Sequence, residues 1–273
     1  MVAGVLIAEL AVATVLIAGG TAGKSAQAAA SVVVDGRTVR LVSLGEPRTD
    51  VLLHRVRADI GAAVSTVEQF WGTDWGNGGT PDITIVATDS DGQFVAEAHL
   101  DERRQWNDIA AVSVADDVDL TRRKAFGQRI VFAPGAAAMS ESALRIVLAH
   151  ELFHLASRAD TALDAPRWLT EGVADFVARP PTAIPAGASI DLPSDAALDA
   201  GGVDRSAGYD RAWWFARFIA DTYDVDGLRR LYVAACEPGH SDLAVAVQQA
   251  LGTDLAGLQT RWAQWLAGEQ QRR

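Results

Sequence analysis

The stretch LAHELFHLASRADTALDAPRWLTEGVADFVA, Leu148 to Ala178, holds two of the five histidines of the chain, one glutamate between them and a second further on. Upstream, Ser140 is a good N-cap and Glu141 sits in the first turn, so a helix starting there carries His150, Glu151 and His154 well inside it. Residues four apart on a helix lie about 6 Å apart along the axis and roughly 40° apart around it, so the two imidazoles share a face. That spacing suits one metal ion. Glu151 lies at the edge of the same face, where a carboxylate reaches a metal-bound water without being a ligand; this is the mechanical content of H-E-x-x-H.

By chance the pattern would arise in roughly three of a thousand chains of this composition, so a third ligand is what gives it weight. Glu171 supplies one, inside a second helical segment, WLTEGVADFVA, that follows a turn region rich in Ala, Asp and Pro. Asp175 is four residues beyond Glu171 and on its face; metal-binding histidines usually donate their second ring N–H to a carboxylate, and Asp175 is the partner expected for His150. Two neutral imidazoles and one carboxylate leave a fourth position open on zinc, the catalytic rather than the structural arrangement. Zinc polarises a carbonyl and acidifies its water, and Glu151 takes the proton; amide hydrolysis is the chemistry those parts predict.

Outside this stretch the period of the sequence changes. SVVVDGRTVRLVS, from Ser31, reads as a hairpin around Asp35-Gly36, and Val51 to Trp71 follows helical spacing through Leu53, Val56, Ile60, Ala63, Val67 and Phe70. Three short runs read as strands: ITIVAT from Ile83, IAAVSVA from Ile109 and RIVFA from Arg129. From Ser140 onward the pattern is helical. The expected architecture is α+β: a small, mostly antiparallel sheet half over residues 29–139, a helical half over 140–273, and a zinc cleft between them. A substrate peptide could add as a strand along an open sheet edge, offered by RIVFA or IAAVSVA.

Composition narrows the partners. With 49% hydrophobic residues and 9 prolines in 273, the chain can bury a core and is neither disordered nor collagen-like. A net charge of -11, from 35 acids against 24 bases, argues against nucleic acid, whose binding needs basic patches. The expected partner is a peptide or protein substrate, and the expected state a monomer with one zinc per chain. Cys236 is the only cysteine, so there is no intrachain disulfide, and no lipobox cysteine precedes the mature part.

Val2 to Gly23 is apolar and small apart from Glu9, and Ser25-Ala26-Gln27-Ala28 has the form of a signal-peptidase site. Residues 1–28 are therefore expected to be a signal peptide and the protein to be secreted. The alternative is a membrane anchor over residues 2–23, which would hold Glu9 within the bilayer at a cost.

H-E-x-x-H followed by W-L-T-E-G-x-A-D resembles the gluzincin zinc metallopeptidases, and in particular their compact peptidase MA-like domains, related to thermolysin and aminopeptidase N. The resemblance is strongest from Ser140 to Ala178 and extends to YDRAWWFARFIADTYDVDGLRRLYVAA, from Tyr209, which is similar to the tyrosine-led helix of those domains. It implies His150, His154 and Glu171 as ligands, Glu151 as general base, Asp175 behind a ligand, and Tyr209 at the start of its helix as a donor to the oxyanion. The G-x-M-E-N stretch of the aminopeptidase branch is absent, so nothing points to an aminopeptidase. His240, in CEPGHSD, is the second candidate donor; His54 and His99 are not expected to be ligands. Residues 180–208, rich in proline and aspartate, are expected to form a lid or strap near the site. The reading from a different class is a non-catalytic exported module stabilised by zinc.

Overall fold

The computed structural model describes residues 30–45, 47–73, 75, 82–101, 106 and 109–272. The leader or anchor expected over residues 1–28 lies outside them. The fold is α+β, with one five-stranded sheet in the N-terminal part and helices in the C-terminal part. It divides into two compact units at Ala159/Asp160.

In the first unit, β1 (Ala30–Val34) and β2 (Arg37–Ser43) form the expected hairpin. Its turn places Asp35 at φ 48° and Gly36 at φ 78°, the double left-handed conformation that two-residue hairpins need and that Asp-Gly tolerates best. Helix α1 (Arg48–Trp71) then carries the chain across to β3 (Ile83–Ala87), which pairs with β2 in parallel. After α2 (Asp91–Glu97) come β4 (Ala111–Val114), a small hairpin of β5 (Asp117–Asp119) with β6 (Lys124–Phe126), and β7 (Arg129–Phe132). The sheet order is β1-β2-β3-β7-β4.

This sheet is mixed rather than mostly antiparallel: β2–β3 and β3–β7 are parallel, β1–β2 and β4–β7 antiparallel. The reason is the crossover. A 24-residue helix between β2 and β3 returns the chain to the same end of the sheet, which a tight turn cannot do. RIVFA, one of the two strands expected at an edge, is β7 and lies inside the sheet; IAAVSVA supplies β4, an edge.

Alternation along the strands sorts the two faces. Val86, Val112, Val114 and Val131 pack with Phe94 of α2, Ala98 and Leu100. By the period of two, Ala111 and Ser113 point to the other face, where α1 and α3 (Glu141–Ser157) pack on the sheet and on each other. Ser140 caps α3 as expected, its hydroxyl accepting the N–H of Ala143 at 3.2 Å. The HExxH helix therefore belongs to the same compact unit as the sheet.

The second unit is helical: α4 (Arg167–Ala178), the short α5 (Asp195–Leu198), α6 (Gly202–Cys236), α7 (Leu243–Leu251) and α8 (Leu255–Gln271). Helix α6 starts at Gly202, not at Tyr209, so Tyr209 stands two turns inside it; it is broken at Asp224, whose φ is 64° and whose carboxylate caps the following turn by accepting the Gly227 N–H at 2.6 Å. Helices α4 and α6 make a close backbone approach at Gly172, where a Cβ would come within 2.5 Å of the Ala212 carbonyl oxygen. Only glycine fits there. Phe215 gathers the core around it, with ring centroids 5.4 Å from Trp168, 5.5 Å from Phe218 and 5.4 Å from Trp262. Among the described residues no helix is long and apolar enough to cross a membrane.

Candidate metal centre

Helix α3 brings His150 and His154 together as its spacing demands. Their Nε2 atoms are 3.1 Å apart and the rings cross at 67°, with centroids 4.8 Å apart. Two nitrogens bound tetrahedrally to one zinc at about 2.05 Å are separated by roughly 3.3 Å. The observed separation is close to that chord. His150, Glu151 and His154 are all buried, at 1%, 2% and 7% exposure. Behind His154 stands Phe153, edge-on to Phe70 and Trp71 of α1. Glu171 is fully buried, and His150, His154 and Glu171 offer ligand atoms that all lie within 4.8 Å of one another, within reach of one metal ion.

Both histidines meet through Nε2, which leaves each Nδ1 to be oriented by a hydrogen-bond partner, the role expected of Asp175 for His150. Asp175 is fully buried on α4, and its Oδ2 accepts from Nη1 of Arg179 at 3.0 Å. Arg179 also donates to Asp210 of α6 at 3.1 Å. Burial pushes the Asp210 carboxyl above its ordinary value and nearby Asp175 adds to this, while Arg179 works in the opposite direction.

The remaining candidates have different surroundings. Tyr209 is buried in α6 and near enough to Arg167 to interact with it electrostatically. His240 donates from Nδ1 to the Ser241 carbonyl at 2.9 Å and has Nε2 3.5 Å from a carboxylate oxygen of Asp164. His54 is exposed on α1. His99 lies 2.7 Å from Nη2 of Arg129 and 3.4 Å from Asp116, so it serves the junction of the β5–β6 hairpin with β7. Burial pushes the Cys236 thiol far up, which keeps it an unreactive core group.

Residues 180–208 are fastened along their length to the second unit. Asp195 accepts the Trp168 N–H at the start of α4 at 2.8 Å, Asp199 pairs with Arg167 at 2.6 Å, Ile184 is fully buried, and Gln259 of α8 donates to the Ile190 carbonyl at 2.5 Å.

Two arginines outside the expected site residues bind groups on these elements, Arg158 on β4 and Arg179 on α4. Arg158, one turn after His154, donates through Nη2 to the Ser113 carbonyl at 2.6 Å and lies 3.1 Å from its Oγ. The neighbouring Ala133 N–H bonds the Ala110 carbonyl, so pairing alternates along β4 and Ser113 turns its backbone away from β7. Arg158 thus closes the β4 edge at Ser113, and all four β4 residues are at most 3% exposed. The signal for both arginines was present: Arg158 is four residues after His154, and Arg179 four after Asp175. No protein-family model matches this chain, and no curated protein matches it.

Proposed function

We propose that this protein is an exported zinc metallopeptidase that holds one zinc per chain through His150, His154 and Glu171 and hydrolyses peptide bonds with Glu151 as general base. The observation that carries the reading is the buried His150–His154 pair, whose 3.1 Å Nε2 separation matches two ligands of one tetrahedral ion, with Glu171 within reach. The donor set is also right for a catalytic ion: two neutral nitrogens and one carboxylate suit zinc and leave a coordination position for solvent or substrate. A zinc ion there supplies Lewis acidity, polarising a carbonyl and making water acidic near neutral pH.

The chain's own groups do the rest. Glu151 follows His150 directly on α3 and is the carboxylate that accepts the water's proton and returns it to the leaving amine. Asp175 orients His150 through Nδ1. Tyr209 is the donor proposed for the developing oxyanion, where one well-aimed hydroxyl contributes on the order of 3 kcal/mol to the transition state. Export rests on the small-residue cleavage pattern before Ala29.

Glu151→Gln tests the enzyme. It keeps size and hydrogen-bonding capacity and removes only the base. Turnover of a broad peptide library should fall about 1000-fold while zinc stays near one per chain and the fold is unchanged. A wild-type protein that holds zinc but cleaves no peptide from weakly acidic to alkaline pH would instead be the zinc-stabilised binding module.

A further inference from the structure

Glu171, Asp175 and Arg179 follow one another at four-residue intervals along α4 and its C-cap, so they share a face. Arg179 is bound to Asp175 twice: its backbone N–H reaches the Asp175 carbonyl at 2.8 Å, and Nη1 reaches Oδ2 at 3.0 Å. Its other terminal nitrogen reaches Asp210 Oδ1 at 3.1 Å, and its Cζ lies 3.7 Å above the ring of Trp213. The guanidinium is thus held in its plane by two carboxylates and across its plane by an indole. Lysine could not reproduce this, because a point charge on a flexible stem neither forks nor stacks.

We infer that Arg179 is a positioning residue of the metal centre: by locking the Asp175 carboxylate it fixes the group that orients His150. The inference rests on the zinc reading proposed above. Exposed ion pairs contribute little, but this one is not exposed, with side-chain exposures of 15% for Arg179 and 1% for Asp175. A buried carboxylate that must hold a ligand histidine in one orientation needs its own rotamer fixed, and such outer partners are worth tenfold or more in metal affinity. Asp210 has a different part. It anchors the far side of Arg179 to α6 and is 39% exposed, and its charge and that of Asp175 repel each other across the arginine.

The test is zinc affinity of the full folded protein, measured by competition with a chromophoric chelator at one pH, beside thermal unfolding of the metal-free forms. Arg179→Met should raise the zinc Kd about 10- to 100-fold. Arg179→Lys should restore only part of the loss, leaving the Kd about 3- to 10-fold above wild type, because charge returns without the fork. Asp210→Asn should stay within about threefold, since Arg179 keeps its hold on Asp175. A wild-type Kd in Arg179→Met, with only the metal-free melting temperature lowered, would make Arg179 a packing residue and overturn the inference. Equal weakening by Asp210→Asn and Arg179→Met overturns it too, by assigning the effect to the α4–α6 contact as a whole. Should Arg179→Met fail to fold, a wild-type Kd in Arg179→Lys decides against it. A wild type that takes up no zinc removes the metal reading and this inference together, whereas unchanged affinity in the variants of a zinc-binding wild type removes the inference alone.

Discussion

Helices α1 and α3 pack against each other in one unit, yet they bury themselves differently. Helix α1 hides a single stripe, Leu52, Leu53, Val56, Ile60, Ala63, Val64, Val67 and Phe70, and leaves His54, Arg57 and Ala58 in water. Helix α3 begins in the same way, with exposed Arg145 pairing to Asp59 of α1 at 2.8 Å, but from Val147 to Ser157 every residue is buried. A surface helix shows its environment as a period, whereas a helix buried all round has no polar side to mark one. What distinguishes α3 is the identity of the polar residues it takes inside. His150, Glu151 and His154 lose their hydration, a cost of several kcal/mol unless partners or a metal offset it. Most polar groups on α1 avoid that cost because they stay wet, and the one buried at its start, Thr49, is satisfied by the Ser43 hydroxyl 2.8 Å away.

Removing the metal should widen this contrast most. If zinc binds α3 as proposed, chelation should cost about 4 kcal/mol at a free zinc level a thousand times its Kd, and lower the melting temperature by roughly 10 °C. A melting temperature unchanged by chelation would put the histidines of α3 on the same footing as the polar residues of α1. Within α1, Ile60→Ala should cost about 3 kcal/mol in denaturant unfolding, because Ile60 is 1% exposed and its loss leaves a cavity. That cost should be the same with and without chelator, since it is a matter of packing alone. The smallest effect belongs to His54→Ala on the wet face of α1, within about 0.5 kcal/mol and without change in zinc content. A loss of zinc in that variant would mean that a histidine outside α3 supplies a ligand.

Much of the fold can be read from short-range pattern. The Asp35-Gly36 hairpin, α1, the strands at Ile83 and Arg129 and the Ser140 cap all rest on turn chemistry or on a period within a few residues, and each occurs where those rules put it. The β5–β6 hairpin escaped because three-residue strands carry too little alternation to stand out. The start of α6 was misplaced because Gly208 reads as a helix boundary; in the fold it is an interior residue whose missing Cβ lets the Ala197 carbonyl come within 2.6 Å of where that atom would be. A close approach and a helix stop call for the same residue, so the letter alone does not separate them.

The candidate centre divides in the same manner. The sequence alone determined that His150 and His154 would share a face and that Glu171 and Asp175 would share another, because helix geometry relates residues four apart without reference to the rest of the chain. It also marked Glu151 as the neighbour of a ligand. Only the tertiary structure decided that the two Nε2 atoms would stand 3.1 Å apart in a dry helix, that β7 would be enclosed and β4 closed by Arg158, and that Arg179 would meet Asp210, 31 positions away. Strand order, burial on every side and long-range ion pairs depend on which distant segments arrive at the same place. Local propensity carries no term for that, since those contacts form only when the packed core has brought the segments together.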